Sequence, residues 1–266
     1  MKRRTVLTFL TAGVLAQAEA VAEPSEPLMA GVQALKAAPN YAWTITTEMP
    51  GAPFKVASMR GRADADGWLV LETEVGGRRR MVVGRREGRV FNEAGVWRSP
   101  AEAERLKGDE NTAAQDLMGA PTPTGELAAL LPKLGGLRRE ADGSYYGALP
   151  EVSAKGLILA VMKGRAPGGF SPELKAPVGN LRLWLQDGRP QRYVISATAT
   201  ASLPFATKEI KRISTVEISE VGSTRVEVPV AARTKLEDLL GKPRTTDRRP
   251  ALPSDVGLAD TARRND

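Results

Sequence analysis

The chain has 266 residues, 42% of them hydrophobic and 26% charged, with a net charge of +7 and a pI near 9.8. It contains no histidine and no cysteine, which excludes Ser-His-Asp and Cys-His catalysis, histidine-based metal sites, disulfides and a lipidated cysteine anchor. The positive charge favours anionic surfaces such as a membrane, an attraction that salt weakens; nucleic acid is set aside as a partner, because the basic residues are scattered and only 5% of the chain is aromatic.

The N-terminus is read first because it sets the compartment. Lys2, Arg3 and Arg4 form a positive n-region and residues 6–16 an apolar h-region. Ala18-Glu19-Ala20 and Ala20-Val21-Ala22 both offer a small-x-small cleavage site. Residues 1–22 are therefore predicted to be a signal peptide, which would make the mature protein periplasmic or secreted. The apolar run falls short of the about 20 residues that a membrane-spanning helix needs. An amphipathic N-terminal helix is the competing reading. Arg3-Arg4-Thr5-Val6-Leu7 also fits a twin-arginine export signal.

Residues 28–38 have helical spacing, with Met29, Val32 and Leu35 on one side, and Pro39 ends the run. The period then changes to two: Tyr41, Trp43 and Ile45 alternate with smaller residues in a strand over 41–47. A turn at 49–53 leads to a returning strand over 54–63, and Asp64-Ala65-Asp66-Gly67 is a hairpin signal. Strands are predicted at 68–75 and 78–85 around Gly76-Gly77, then short ones at 89–92 and 96–98. Ser99-Pro100-Ala101-Glu102 has the form of a capping box opening a helix, and the segment to 118 is helical or loosely ordered. After Pro121 and Pro123 a second helix is expected over 124–134, capped by Thr124, with Leu127, Leu130, Leu131 and Leu134 as its apolar side.

A hairpin over 137–141 and 144–149 turns at Asp142-Gly143, a helix covers 150–163, and 164–177 reads as a Gly/Pro-rich loop. The longest β region follows, at 180–186, 191–201, 205–221 and 225–228, then a last helix at 229–240. From 242 the chain is rich in Arg, Asp, Pro and Thr, and residues 242–266 are expected to be a disordered tail. The pattern gives one β-rich domain over 23–241, with roughly eight to ten strands in an antiparallel meander interrupted by a helical block.

No Gly-x-Ser-x-Gly elbow, P-loop or Gly-x-Gly-x-x-Gly occurs. Composition leaves room for a carboxylate pair, since Glu72 and Glu74 share a strand face and Asp64 and Asp66 are close; the plainer readings are the wet face of a sheet and a turn. Asp109-Glu110-Asn111 could suggest calcium ligands but lacks an EF-hand loop. The tryptophans Trp43, Trp68, Trp97 and Trp184 all fall in or beside strands, where they either line a cavity or pack a core.

Three stretches carry a resemblance. The first runs from Tyr41-Ala42-Trp43-Thr44-Ile45-Thr46 to Val90-Phe91-Asn92-Glu93-Ala94-Gly95-Val96-Trp97, the second is Leu137-Arg138-Arg139-Glu140-Ala141-Asp142-Gly143-Ser144-Tyr145-Tyr146-Gly147, and the third is Leu183-Trp184-Leu185-Gln186-Asp187-Gly188-Arg189-Pro190-Gln191-Arg192-Tyr193 with the closing segment from Ser214 to Pro229. Spread over most of 28–240, they resemble the bacterial lipoprotein-carrier superfamily, which includes the periplasmic outer-membrane lipoprotein carrier and mycobacterial lipid-carrier lipoproteins. The resemblance implies an α+β fold, a strongly curved antiparallel half-barrel whose concave side is covered by helices and holds a lipid or acyl chain. It implies no enzyme activity and no cofactor, and no functional residue maps across. The mycobacterial relatives are anchored through a cysteine that this chain lacks.

From alternation alone, Trp43, Ile45, Leu69, Leu71, Met81, Val83, Leu183 and Leu185 are the candidate ligand-binding residues. The expected function is an exported, soluble binder or carrier of a lipid-like ligand that touches anionic membrane transiently. The alternative is a sensory or interaction module of the envelope on the same fold, with a protein partner and no ligand. A carboxylate-pair enzyme is the third reading, which two buried carboxyls facing each other across a cleft would revive.

Overall fold

The computed structural model describes residues 25–38, 40–52, 54–85, 88–162, 173–203 and 206–241. The leader at 1–22 and the tail at 242–266 lie outside the described residues, as does most of the loop expected at 164–177.

One antiparallel sheet of eleven strands organises the fold, in the order β6-β5-β4-β3-β2-β1-β11-β10-β9-β8-β7. The first half is a meander: β1 (Tyr41–Glu48), β2 (Met59–Ala63), β3 (Trp68–Val75), β4 (Arg78–Arg85), β5 (Gly88–Glu93) and β6 (Val96–Arg98). The second is another, in β7 (Gly135–Arg139), β8 (Tyr145–Leu149), β9 (Glu173–Gln186), β10 (Arg189–Leu203) and β11 (Ala206–Ser219). The two meet where β1 pairs with β11, with Trp43 opposite Ile218 and Ile45 opposite Val216. Local turn chemistry fixes much of the register. Gly76 and Gly77, and likewise Asp187 and Gly188, have positive φ at both central positions, as a tight two-residue hairpin matched to strand twist requires.

The sheet is a strongly curved, open half-barrel with helices on its concave side. α1 (Ser25–Lys36), α3 (Gly108–Gly119) and α4 (Pro123–Leu130) supply Leu28, Val32, Leu35, Leu117, Leu127 and Leu130 to the main core, against Leu71, Phe91, Leu183, Tyr193 and Ile218 of the sheet. α5 (Glu151–Met162) covers the far end of β9 and β10, where Ala154 and Ile158 meet Ala197, Ala199 and Ala201. The small side chains of β10 let that helix approach. α6 (Val230–Gly241) is the exception. It packs on the convex face, where Ala232 and Leu236 cover Trp68, Val70, Val83 and Val90.

The short α2 (Pro100–Ala103) starts where its capping box predicts: Ser99 Oγ accepts from the Glu102 amide, and Glu102 Oε2 accepts from the Ser99 amide at 2.6 Å. Glu102 also holds Lys235 of α6 at 2.8 Å, linking α2 to the convex-face helix. Arg89 of β5 donates to the carbonyls of Met118 and Ala120, satisfying the end of α3.

Several expectations are corrected. Residues 54–58 are not strand; only Met59–Ala63 pairs with β1. Residues 225–228 form no ladder: Val226 and Val228 pack against the convex-face cluster instead. Glu173 to Pro177, expected in a loop, are already in β9. The second helix of the block is capped by Thr122, whose hydroxyl accepts from the Gly125 amide, and not by Thr124; it ends at Leu130 in a 3-10 turn. Pro123 at its first position explains the shift, since proline suits the first turn of a helix. The described residues form eleven strands, against an expected eight to ten: every segment read as a strand joins the sheet except 225–228.

Candidate functional site

The helices do not fill the concavity. Between the inner face of β1–β3 and β11 and the ends of α3 and α5 lies a cavity of about 610 Å³, within the about 300–1,000 Å³ of small-molecule pockets. Its floor is made by alternate residues of the strands, Ile45 and Thr47 of β1, Met59 of β2, Thr73 and Val75 of β3, and Ser214 and Val216 of β11. The helical wall comes from Ala113 and Leu117 of α3, the Ala120-Pro121 bend, and Ala160 and Val161 of α5. Residues 54–57, the segment that leaves the sheet before β2, form the remaining rim with Phe54 and Val56. Leu117, Val216 and Ser214 are buried, whereas Lys55, Gln115, Pro121 and Ala160 are exposed, so the cavity opens to solvent.

Polar groups are concentrated on one side. Glu126 of α4 and Arg212 of β11 both line the cavity. The fully buried Tyr193 donates to Glu126 Oε2 at 2.6 Å. Arg212 donates to Ser214 Oγ at 2.9 Å and to the Leu157 carbonyl at 2.5 Å, and Ser214 Oγ lies 2.9 Å from Thr47 Oγ1. Burial pushes the Glu126 carboxyl above its ordinary pKa, opposed by the Tyr193 hydrogen bond and the Arg212 charge. Burial pulls Arg212 down, opposed by Glu126 and Asp116. Tyr193 is driven well above the usual phenol value by burial and then by Glu126. Each charge is thus tolerated because its neighbour has the opposite sign.

The candidate ligand residues separate. Trp43, Ile45, Leu69, Leu71, Leu183 and Leu185 face the helices, but only Ile45 borders the cavity. Trp43, Leu71 and Leu183 are sealed in the core. Met81 and Val83 face the convex side, beneath α6. The register shows why: Leu71 pairs with Val82 and Leu69 with Gly84, so the inward parity of β4 is even. Both faces of β4 are buried, one under the main core and one under α6, and alternation carries no signal when both faces are apolar.

None of the four tryptophans lines the cavity. Trp68 sits under α6 with Arg85 and Arg233 on its ring, Trp97 packs near it, and Trp184 lies on the convex face between Arg182 and Arg192. Asp64 is a turn residue whose carboxylate accepts from the Asp66 and Trp68 amides. Glu72 pairs with Arg79. Asn111 donates its amide to the Glu104 and Leu106 carbonyls. The cavity's own carboxyls, Asp116 and Glu126, were missed. The signal that was available is the even-numbered face of β11, Ile210, Arg212, Ser214, Val216 and Ile218, in which two polar residues interrupt an inward apolar row.

No protein-family model matches the chain, and no curated protein matches it. Among solved structures, a LolA superfamily protein from Nitrosomonas europaea aligns with a TM-score of 0.31 at 11% identity, over 71% of this chain and 86% of that one. No residue of the cavity is assigned from it.

Proposed function

We propose that this protein is an exported, soluble binder or carrier of a lipid-like ligand, held in the cavity between the half-barrel and its helices. The observation that supports this is the cavity itself: about 610 Å³, open to solvent, with a mostly aliphatic lining built by a curved sheet that the helices leave partly uncovered. Burying an alkyl chain there gains about 0.8 kcal/mol per methylene, and no catalytic group is needed. Among the described residues no helix is long and apolar enough to cross a membrane, and the export step rests on the leader read in residues 1–22.

Asp116 and Glu126 give the hydrolytic reading its two carboxyls, but Arg212 lies in the field of both. Burial raises the Glu126 carboxyl, while the Tyr193 hydrogen bond and the Arg212 charge oppose the rise.

The test is mass spectrometry of organic extracts from the full chain, purified from its own envelope without detergent. A stoichiometric lipid, lost in Ile45→Trp and Val75→Glu while the circular dichroism is unchanged, supports the reading. A protein that carries no lipid and takes none from vesicles overturns it. Leu71→Glu and Leu183→Glu are unsuited to this purpose, since both positions are sealed core and the variants would unfold.

A further inference from the structure

We infer that the ligand is a single-chain amphiphile with a neutral, hydroxyl-bearing head, and that the head sits on the Glu126–Arg212 side of the cavity. This rests on the cavity being a ligand site. The polar lining is what restricts the head. Arg212 gives its hydrogen bonds to Ser214 and Leu157, and Glu126 accepts from Tyr193; the two feel each other's charge without sharing a bond. A wholly apolar ligand would leave the remaining hydrogen-bonding positions of both unmet, a cost borne in full for a charged group.

The head must also match a mixed field. Among the described residues, the titratable side chains lining the cavity are Asp116, Glu126, Arg212 and, at the exposed rim, Lys55. A carboxylate or phosphate head would suit Arg212 but meet Glu126 and Asp116. An ammonium head would suit the carboxylates but meet Arg212. A hydroxyl donates to a carboxylate and accepts from a guanidinium, so it serves both. The floor beside the pair continues the pattern. Thr47 and Ser214 are register partners on β1 and β11, with their hydroxyls 2.9 Å apart, and Ser214 leads directly to Arg212. That row of neutral hydroxyls suits a glycerol-type head lying across it, with the chain running toward Met59, Val75 and Val56. The volume fits one chain better than two or three.

The experiment is calorimetric titration of the full, delipidated chain with three ligands sharing a fourteen-carbon tail, each below its aggregation threshold: monomyristoylglycerol, myristate and tetradecylamine. At pH 7.5 the glycerol ester should bind about tenfold more tightly than either ion, the factor expected from one unrelieved like-charge contact. Glu126→Gln should raise myristate affinity about tenfold and leave the ester within about threefold. Thr47→Val, which leaves the Ser214–Arg212 hydrogen bond in place, should weaken the ester and spare the ions. An ion that binds as well as the ester, or three equal affinities, would overturn the head assignment while leaving the cavity as a ligand site. Binding of none would overturn the site and the head together.

Discussion

Gly61 is the position at which the packing of the half-barrel can be tested most sharply. Trp43 of β1 is 1% exposed and lies across its neighbour β2. A Cβ built on Gly61 would stand 2.1 Å from Trp43 Cε2 and 2.2 Å from Cζ2, where carbon contacts settle at about 3.5–4.0 Å. The ring must therefore move by about 1.5 Å, and Tyr41, with its centroid 5.3 Å away, stands beside it. Overpacking a core costs about 1–3 kcal/mol, and turning the indole out of it approaches the about 3–5 kcal/mol of losing a large aromatic. Gly61→Ala should cost about 3 kcal/mol and lower Tm by about 6–12 °C for a domain of this size. Urea and thermal unfolding followed by circular dichroism would measure it. The helical Gly156, whose Cβ would meet nothing within 4 Å, is the control, and Gly156→Ala should be neutral or stabilising. A Gly61→Ala protein as stable as the parent would show that the indole does not lie over β2, and the account of the concave core would fail with it.

Three further outcomes are expected. Arg80 and Glu93 form an ion pair 2.9 Å apart with both residues at most 5% exposed, so Glu93→Ala should cost about 3–5 kcal/mol by leaving a buried guanidinium unpaired; a loss under about 1 kcal/mol in urea titration would contradict this. Tyr193→Phe removes the donor to Glu126 and should cost about 1–2 kcal/mol; because that hydrogen bond lowers the Glu126 pKa, carboxyl NMR should show the Glu126 value rising in the variant, and a fall would refute the assignment. Glu102 is held down to about 2 from an ordinary 4.5 by Lys235 and Ser99; a depressed acid stabilises the fold above its unfolded value and loses that contribution as pH falls through its folded value, so Glu102→Gln should cost about 1 kcal/mol or less at pH 7, after screening at this half-exposed site, and progressively less as the pH falls from 4.5 toward 2.

Elements set by local chemistry were legible in the sequence. The Asp66-Gly67 and Gly76-Gly77 turns place β3 and β4, and Ser99 with Glu102 places α2. What escaped depends on partners distant in sequence. Residues 54–58 look like a strand, yet β2 begins only where it can pair with Ile45 at Met59, and the released segment becomes the cavity rim. Residues 225–228 alternate like a strand but lie against the convex cluster with no ladder to join. Met81 and Val83 were assigned inward because nothing in the sequence announces that α6 covers the opposite face. The cavity was largely invisible for a related reason: it is defined by where α3 and α5 stop short of the sheet, and Glu126 on its own reads as an acid in the first turn of a helix.

The most direct measurement of the central claim is methyl NMR of the full chain, labelled at Ile, Val and Met, during titration with monomyristoylglycerol. Ile45, Met59, Val75, Val161 and Val216 border the cavity, whereas Val70 and Val83 lie beneath α6 on the other face. A saturable shift of the first group with the second silent is the expected result. Shifts confined to the convex face, or none at saturating ligand, would contradict a ligand cavity between the half-barrel and its helices.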